Sequence, residues 1–304
     1  MDFVNRGRGR FDLTLVHLSD FHFFEPRGAP IRSFVGKRGL SLLSWQLRRR
    51  RDHAPGILER LAREIAALES DLRVVTGDLV QLALPAEFRR AAEVLAALGG
   101  PREVFAVPGN HDALVGAAAE AQAPLWNRYA ASDGGGPGFP ALRICGPAAL
   151  IGVSTAHPTP PLSAAGSIGC DQARRLDTLL AETGRQRLYR ILLIHHPPFS
   201  RGVSPHKRLR DLPRLLALIA RRGAELVLHG HTHRTSCVRI PGPRGAVPVL
   251  GIAAASCGSR DPARRSAFRL LRLEARRGEV RAVGCDFRYE PACGAFRPQE
   301  TYPL

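Results

Sequence analysis

A chain of 304 residues with 44% hydrophobic content is long enough to bury a large core, which excludes a disordered or fibrous protein. Its formal charge of +17 would by itself suggest a polyanionic partner, yet only Lys37 and Lys207 are lysines and 42 of the 44 basic residues are arginine, so the bias is largely compositional and only local clusters carry weight. Six cysteines (Cys145, Cys170, Cys237, Cys257, Cys285 and Cys293) form no Cys-x-x-Cys pair, which excludes a zinc knuckle or a dithiol redox motif and reads as free thiols in a reducing compartment.

The first residues lack an apolar segment behind a basic start, and no later run reaches the length of a membrane span. A cytoplasmic protein is expected, with peripheral attachment to the inner face of a membrane as a further expectation. Residues 13–18 form a short β-prone run that ends at Ser19-Asp20, followed by Phe21-His22. An insert of about residues 23–52 comes next, basic and apolar together. Ile57, Leu58, Leu61, Ile65 and Leu68 then recur at helical spacing, with Asp52 and Pro55 as start signals. Residues 73–76 predict a strand that stops at Gly77-Asp78. Residues 87–98 predict a helix, and 103–107 a strand that runs into Gly109-Asn110-His111-Asp112.

Beyond a Gly/Pro-rich loop at 134–140, residues 141–144 and 149–153 read as a strand pair, 172–180 as helix, and 190–194 as a strand ending at His195-His196. A helix over 209–221 and a strand over 225–228 lead to Gly230-His231-Thr232-His233. The last quarter reads as strands at 237–240, 247–252, 268–274 and 280–287, with a hairpin turn at Arg276-Arg277-Gly278. Strands interleaved with helices and then paired antiparallel predict a mixed two-sheet α/β layout with helices outside. One domain over residues 12–287 is expected, and residues 288–304, with Pro291, Pro298 and Pro303, read as a C-terminal tail.

Metal-ligand residues therefore recur at five strand ends. Asp20 and His22 are two apart, so on an extended strand end both point to one side and can grip one ion. Asp78 offers two oxygens that can bridge two cations, Asn110 a neutral carbonyl oxygen, and His195, His231 and His233 imidazoles. Nitrogen and oxygen donors without thiolate suit Mn²⁺, Fe or Zn²⁺ better than Ca²⁺ or a structural thiolate-bound zinc. Singly, each motif reads as a cap or a loop; their joint occurrence points to metal.

This ordered set, Asp-x-His, Gly-Asp, Gly-Asn-His-Asp, His and Gly-His-x-His, resembles that of the calcineurin-like metallophosphoesterases over about residues 12–235. The resemblance implies a four-layer α/β/β/α sandwich of two mixed sheets flanked by helices, and a dinuclear site. It assigns Asp20, His22, Asp78 and His233 to one metal and Asp78, Asn110, His195 and His231 to the other, with Asp78 bridging. Two divalent ions, Mn²⁺ first and Fe or Zn²⁺ next, would then acidify water and clamp phosphoryl oxygens for hydrolysis of a phosphodiester or diphosphate. The resemblance puts His111 beside the scissile phosphate as leaving-group acid or transition-state stabiliser, with Asp112 orienting its ring. Arg234, next to His233, has donors suited to a substrate phosphate. His196 is expected to support the ligands, His229 to approach the substrate, and His17 to be a satisfied core residue.

Residues 31–60 carry eight basic residues against Asp52 and Glu59, interleaved with Ile31, Phe34, Val35, Leu40, Leu42, Leu43, Trp45 and Leu47. That mixture fits an interfacial amphipathic helix facing anionic lipid, or else a packed helix with a basic outer face. Its Gly-Lys-Arg-Gly and Trp-x-x-Arg-Arg-Arg-Arg pattern is similar to a subgroup of bacterial metallophosphoesterases that includes UDP-2,3-diacylglucosamine pyrophosphatases, which implies a lipid-linked UDP-sugar diphosphate as substrate. A cyclic-nucleotide phosphodiesterase is the alternative enzyme. A nuclease is disfavoured because no further nucleic-acid module is visible. A catalytically silent scaffold is the alternative of another class, and the presence of His22, His111, His195, His231 and His233 argues against it.

Overall fold

Strand β1 (Arg10–Leu18) sends Leu13 and Leu15 to one face and Val16 and Leu18 to the other, so it is apolar on both sides and has to be covered twice. The computed structural model, which describes residues 10–49, 55–116, 128–134, 138–276 and 279–304, meets that demand with four layers. In chain order β1 is followed by α1 (Lys37–Ser44), α2 (Pro55–Ala66), β2 (Leu72–Val75), α3 (Pro85–Leu98) and β3 (Val104–Ala106). Then come β4 (Ala141–Cys145), β5 (Ala148–Val153), α4 (Gly169–Arg185), β6 (Tyr189–Ile194), α5 (Leu212–Arg222) and β7 (Leu226–His229). Strands β8 (Ser236–Gly242), β9 (Gly245–Gly251), β10 (Ala267–Arg276), β11 (Glu279–Glu290) and β12 (Ala295–Pro303) complete the chain.

Two mixed sheets of six strands result, in the orders β12-β11-β10-β1-β2-β3 and β4-β5-β6-β7-β9-β8. Within the first, β1, β2 and β3 run parallel; within the second, β5, β6, β7 and β9 do. Leu13, Leu15, Val74 and Phe105 from one sheet meet Leu150, Ile191, Leu193 and Leu228 from the other in the central core. Ile57, Leu61 and Ile65 of α2 and Phe88 and Leu95 of α3 cover the outer face of the first sheet. Leu176 and Leu180 of α4 and Leu215 and Ile219 of α5 cover that of the second. The predicted sandwich is thus the observed one.

The segment read as a tail is instead strand β12, which pairs antiparallel with β11 at the sheet edge. Its prolines are tolerated there because an edge strand has one row of backbone groups with no neighbour to serve. A buried ion pair stands behind this edge. Arg269 on β10 is 1% exposed and donates to Asp286 on β11 through Nε (2.6 Å) and Nη2 (3.1 Å), and Nη2 also reaches Gly251 O on β9 of the other sheet (3.2 Å). Tyr302 of β12 donates to the same carboxylate at 3.1 Å.

Two further readings shift. Helix α5 starts at Leu212 rather than at 209, because Leu209 bridges to Gly166 and Asp211 accepts the backbone N–H groups of Ile168 and Gly169. The hairpin residues 277–278 lie outside the described residues, but Arg276 pairs with Glu279 as the closing position requires.

The insert is not one amphipathic helix. A 3₁₀ turn (Ile31–Phe34), α1 and a π-helical turn (Trp45–Arg49) follow one another, and residues 50–54 lie outside the described residues. Trp45, expected on a lipid-facing surface, is buried and stacks on Phe24 with ring centroids 4.7 Å apart. Arg38 ties α1 to the loop after β2 by donating to Leu82 O (2.9 Å) and Ala83 O (2.8 Å), and Ser41 Oγ lies 3.1 Å from Gln81 Nε2.

Replacing Arg269 by Met strands the Asp286 carboxylate in the core and should lower unfolding stability by about 3–5 kcal/mol. The double variant Arg269→Met/Asp286→Leu should recover most of that loss in chemical denaturation. An unchanged single variant would contradict the role assigned to the pair.

Candidate metal centre

Each chemistry-bearing segment begins where a parallel strand ends: Asp20 and His22 after β1, Asp78 after β2, Asn110 to Asp112 after β3, His195 after β6, and His231 and His233 after β7. Because these strand ends belong to two stacked sheets, their loops meet across the top of the sandwich, the position where open α/β sheets place their sites. Asp20, His22, Asp78, His231 and His233 adopt φ of 56°, 51°, 53°, 66° and 51°, five of the eight non-glycine residues with positive φ among the described residues. That conformation costs of order 1–3 kcal/mol each and persists only where the surroundings impose it.

The surroundings are hydrogen bonds between the loops. Asp20 N–H donates to Gly77 O (2.9 Å), His22 N–H to Asp78 O (3.0 Å), His111 N–H to Asp78 Oδ1 (2.7 Å) and His231 N–H to Asp20 Oδ2 (3.0 Å). Two motif glycines are required by this proximity. A Cβ on Gly109 would run into Asp78 Oδ1, and one on Gly230 into Ser19 Oγ and Asp20 Oδ2.

Two groups of donor atoms form. Asp20, His22, Asp78 and His233 make one and Asp78, His195 and His231 the other, each with ligand atoms within 4.8 Å of one another, and Asp78 belongs to both. In the first, His22 Nε2 lies 3.0 Å from His233 Nε2, and His233 Nε2 lies 3.2 Å from Asp20 Oδ1. In the second, His195 Nε2 lies 3.3 Å from Asp78 Oδ2, 3.2 Å from Asn110 Oδ1 and 3.2 Å from His231 Nδ1. Asn110 therefore joins the second group.

The donor set fits divalent metal. Ligand atoms about 2.0–2.2 Å from one ion stand about 3.0–3.6 Å from each other, close to the 3.0–3.8 Å found between these donor atoms. His195 Nδ1–H donates to Thr76 O (2.7 Å) and His231 Nε2–H to Lys207 O (2.9 Å), which fixes both tautomers and leaves His195 Nε2 and His231 Nδ1 as facing lone pairs. Two lone pairs at 3.2 Å repel unless a cation or a proton lies between them. Asp20 Oδ1 is buried and accepts no hydrogen bond of good geometry. Burial alone would push the Asp20 and Asp78 carboxyls up, but the imidazoles of His233 and His22 around the first, and of His195, His111 and His22 around the second, hold both well below the usual range.

His111 is buried beside this set, its ring edge-on to that of His22 with centroids 4.9 Å apart. Its Nδ1–H donates to Gln81 O (2.7 Å), which makes Nε2 the acceptor nitrogen of the neutral ring. Asp112, expected to orient that ring, accepts the backbone N–H groups of Val80 (3.1 Å) and Gly109 (2.8 Å). It braces two ligand loops against each other, and the ring is oriented by the Gln81 carbonyl instead. Burial and the nearby Asp78 charge push the Asp112 carboxyl up to about 7.

Arg234 lines the cleft beside the centre but is half exposed and paired with Asp261 at 3.3 Å. His196 supports the centre as expected, held between Thr155 Oγ1 (2.7 Å) and Ala164 O (3.0 Å) with its ring 4.3 Å from that of His231. His17 is a core residue bonded to Thr76 Oγ1 (2.9 Å). His229 is fully buried and does not line the cleft among the described residues. Sequence reasoning missed Thr76, Thr155 and Gln81, which act through backbone carbonyls or a single hydroxyl and leave no motif.

A family model described as calcineurin-like phosphoesterase matches residues 13–235. Among solved structures, the chain is similar to a dimetal phosphatase from Danio rerio, with 14% identity, 89% of this chain and 98% of that one covered, and a TM-score of 0.56. It is also similar to the sulfate thiohydrolase SoxB from Thermus thermophilus, with 22% identity, 89% of this chain and 56% of that one covered, and a TM-score of 0.50. At these identities the likeness concerns the fold. No curated protein matches the chain.

If Asp112 braces loops rather than a ring, Asp112→Asn should lower unfolding stability by about 1–3 kcal/mol, since an amide N–H₂ cannot accept from a backbone N–H. Metal occupancy should fall with it. Full occupancy and stability with a slowed reaction would restore the ring-orienting role.

Proposed function

The chain belongs to the calcineurin-like phosphoesterase family, and from that premise we propose that it is a dinuclear metal-dependent phosphohydrolase acting on a phosphodiester or diphosphate. The observation that carries this reading is the pair of donor groups joined through one carboxylate, Asp78. Two divalent ions held there supply Lewis acidity, making water more acidic and neutralising phosphoryl charge in an in-line displacement. Mn²⁺ is the first choice and Fe or Zn²⁺ the next, given nitrogen and oxygen donors without sulfur.

The chain's own residues do the rest. The oxygen of water bonds to phosphorus and gives up a proton to solvent, the bond from phosphorus to the leaving oxygen breaks, and that oxygen takes up a proton. His111, once Nε2 has taken up a proton from solvent, delivers it through Nε2–H, while the Gln81 carbonyl keeps accepting from Nδ1–H and holds the ring in place. Asp112 keeps the Asn110 loop seated on the Asp78 loop throughout.

An amphiphilic substrate, such as a lipid-linked diphosphate, is supported by the insert beside the cleft. Ile31, Val35, Leu43 and Leu47 are 91%, 77%, 52% and 69% exposed on a segment rich in arginine. Exposed apolar side chains on a segment whose sequence is basic complement an anionic bilayer, and each fully buried one contributes about 1.5–3 kcal/mol. No described helix is long and apolar enough to cross a membrane. On this reading the protein rests on the surface and takes its substrate from it.

His111→Ala should slow hydrolysis of bis-p-nitrophenyl phosphate by the Mn²⁺-loaded protein about 10²- to 10⁴-fold, and more for diesters with poorer leaving groups. Equal losses across a leaving-group series would remove His111 as the acid. Joint replacement of Ile31, Val35, Leu43 and Leu47 by Ser should reduce co-sedimentation with vesicles of anionic phospholipid. Equal binding of the unaltered protein to neutral and anionic vesicles would leave a soluble cyclic nucleotide as the better substrate class.

A further inference from the structure

Both lysines of this arginine-rich chain line the same cleft. The cavity, about 690 Å³, opens over His111, His231 and His233, and no carboxylate lines it among the described residues. Lys37, the first residue of α1, forms its outer wall. Lys207 lies on the inner side, on the loop whose carbonyl holds His231.

Lys37 is half-buried, and its ammonium donates to two neutral oxygens of Thr159, the carbonyl at 3.1 Å and the hydroxyl. It forms no ion pair among the described residues. An ammonium has three donors, and Thr159 engages two of them. Burial lowers its pKa, so the site holds a partly desolvated cation without a compensating charge. The buried guanidinium groups of Arg190 and Arg269, by contrast, meet that need with Glu225 and Asp286.

On the cleft reading given above, we propose that Lys37 anchors a subsite for a second, non-scissile phosphoryl group, so that the preferred substrate is a diphosphate rather than a simple phosphodiester. Leu40, Leu114 and Leu162 line the same cavity and form the wall for an apolar substituent on that substrate. The choice of lysine fits, because a compact ammonium on a flexible stem binds phosphate as a point charge, whereas a guanidinium imposes a planar fork.

The test uses inhibitors that share tails but differ in phosphoryl number: P,P′-dioctyl methylenediphosphonate and dioctyl phosphate, against bis-p-nitrophenyl phosphate turnover by the Mn²⁺-loaded full chain. The unaltered protein should bind the diphosphonate more tightly. Lys37→Met should raise the inhibition constant of the diphosphonate at least about tenfold more than that of dioctyl phosphate, the scale of a lost charge-assisted hydrogen bond. Leu40→Asn should weaken both dioctyl compounds relative to their dimethyl counterparts. Equal effects of Lys37→Met on the two inhibitors, or none, would overturn the subsite. A protein that turns over no diester would defeat the hydrolase reading instead, and calorimetric binding of the diphosphonate to the two proteins would still decide the subsite.

Discussion

Asp78 is the residue on which the arrangement turns. Its backbone carbonyl accepts from His22, its Oδ1 accepts the His111 N–H, and its Oδ2 faces His195 and His22 at 3.3 and 3.8 Å. One buried carboxylate thereby fixes three loops from the first sheet and meets a histidine from the second. The Gly77 that precedes it and the Gly109 that faces it have room for nothing larger than hydrogen. Removing the charge would leave His195 and His231 without the carboxylate of their donor group.

A cluster of buried imidazoles and carboxylates is costly to assemble unless a ligand repays it. Here the cost is met by rigidity: three of the rings at the centre are held from behind by carbonyls, those of Thr76 for His195, Lys207 for His231 and Gln81 for His111. Parallel strand β2 fixes the Thr76 carbonyl just past its end, and the Gln81 and Lys207 carbonyls lie on the loops that follow β2 and β6. Sheet packing through Leu15, Val74, Ile191 and Leu228 then sets the distance between the two halves of the site. Stability of the sandwich and geometry of the centre are one problem.

Much of this was legible in the sequence because strand ends and metal-ligand residues coincide five times. The two-sheet sandwich followed from apolar runs such as residues 190–194, and the ligand residues meet as their motifs suggested. Three features were not legible, each for a physical reason. Pro298 and Pro303 disguise an edge strand as a tail, since proline signals a break wherever pairing on both sides is assumed. Trp45 reads as a lipid anchor by composition, but its stacking on Phe24 depends on how the insert folds back. Asp112 adjoins His111 in sequence, yet its oxygens serve amides 32 and 3 residues away, a choice that only the loop conformation makes.

The central claim, that one carboxylate couples two metal ions, is tested most directly by electron paramagnetic resonance of the protein loaded with Mn²⁺. Two ions bridged through Asp78 should stand about 3.5–4 Å apart, and their spins should couple into a multiline dinuclear spectrum at two Mn²⁺ per chain. A six-line spectrum of isolated Mn²⁺ at full loading would contradict it.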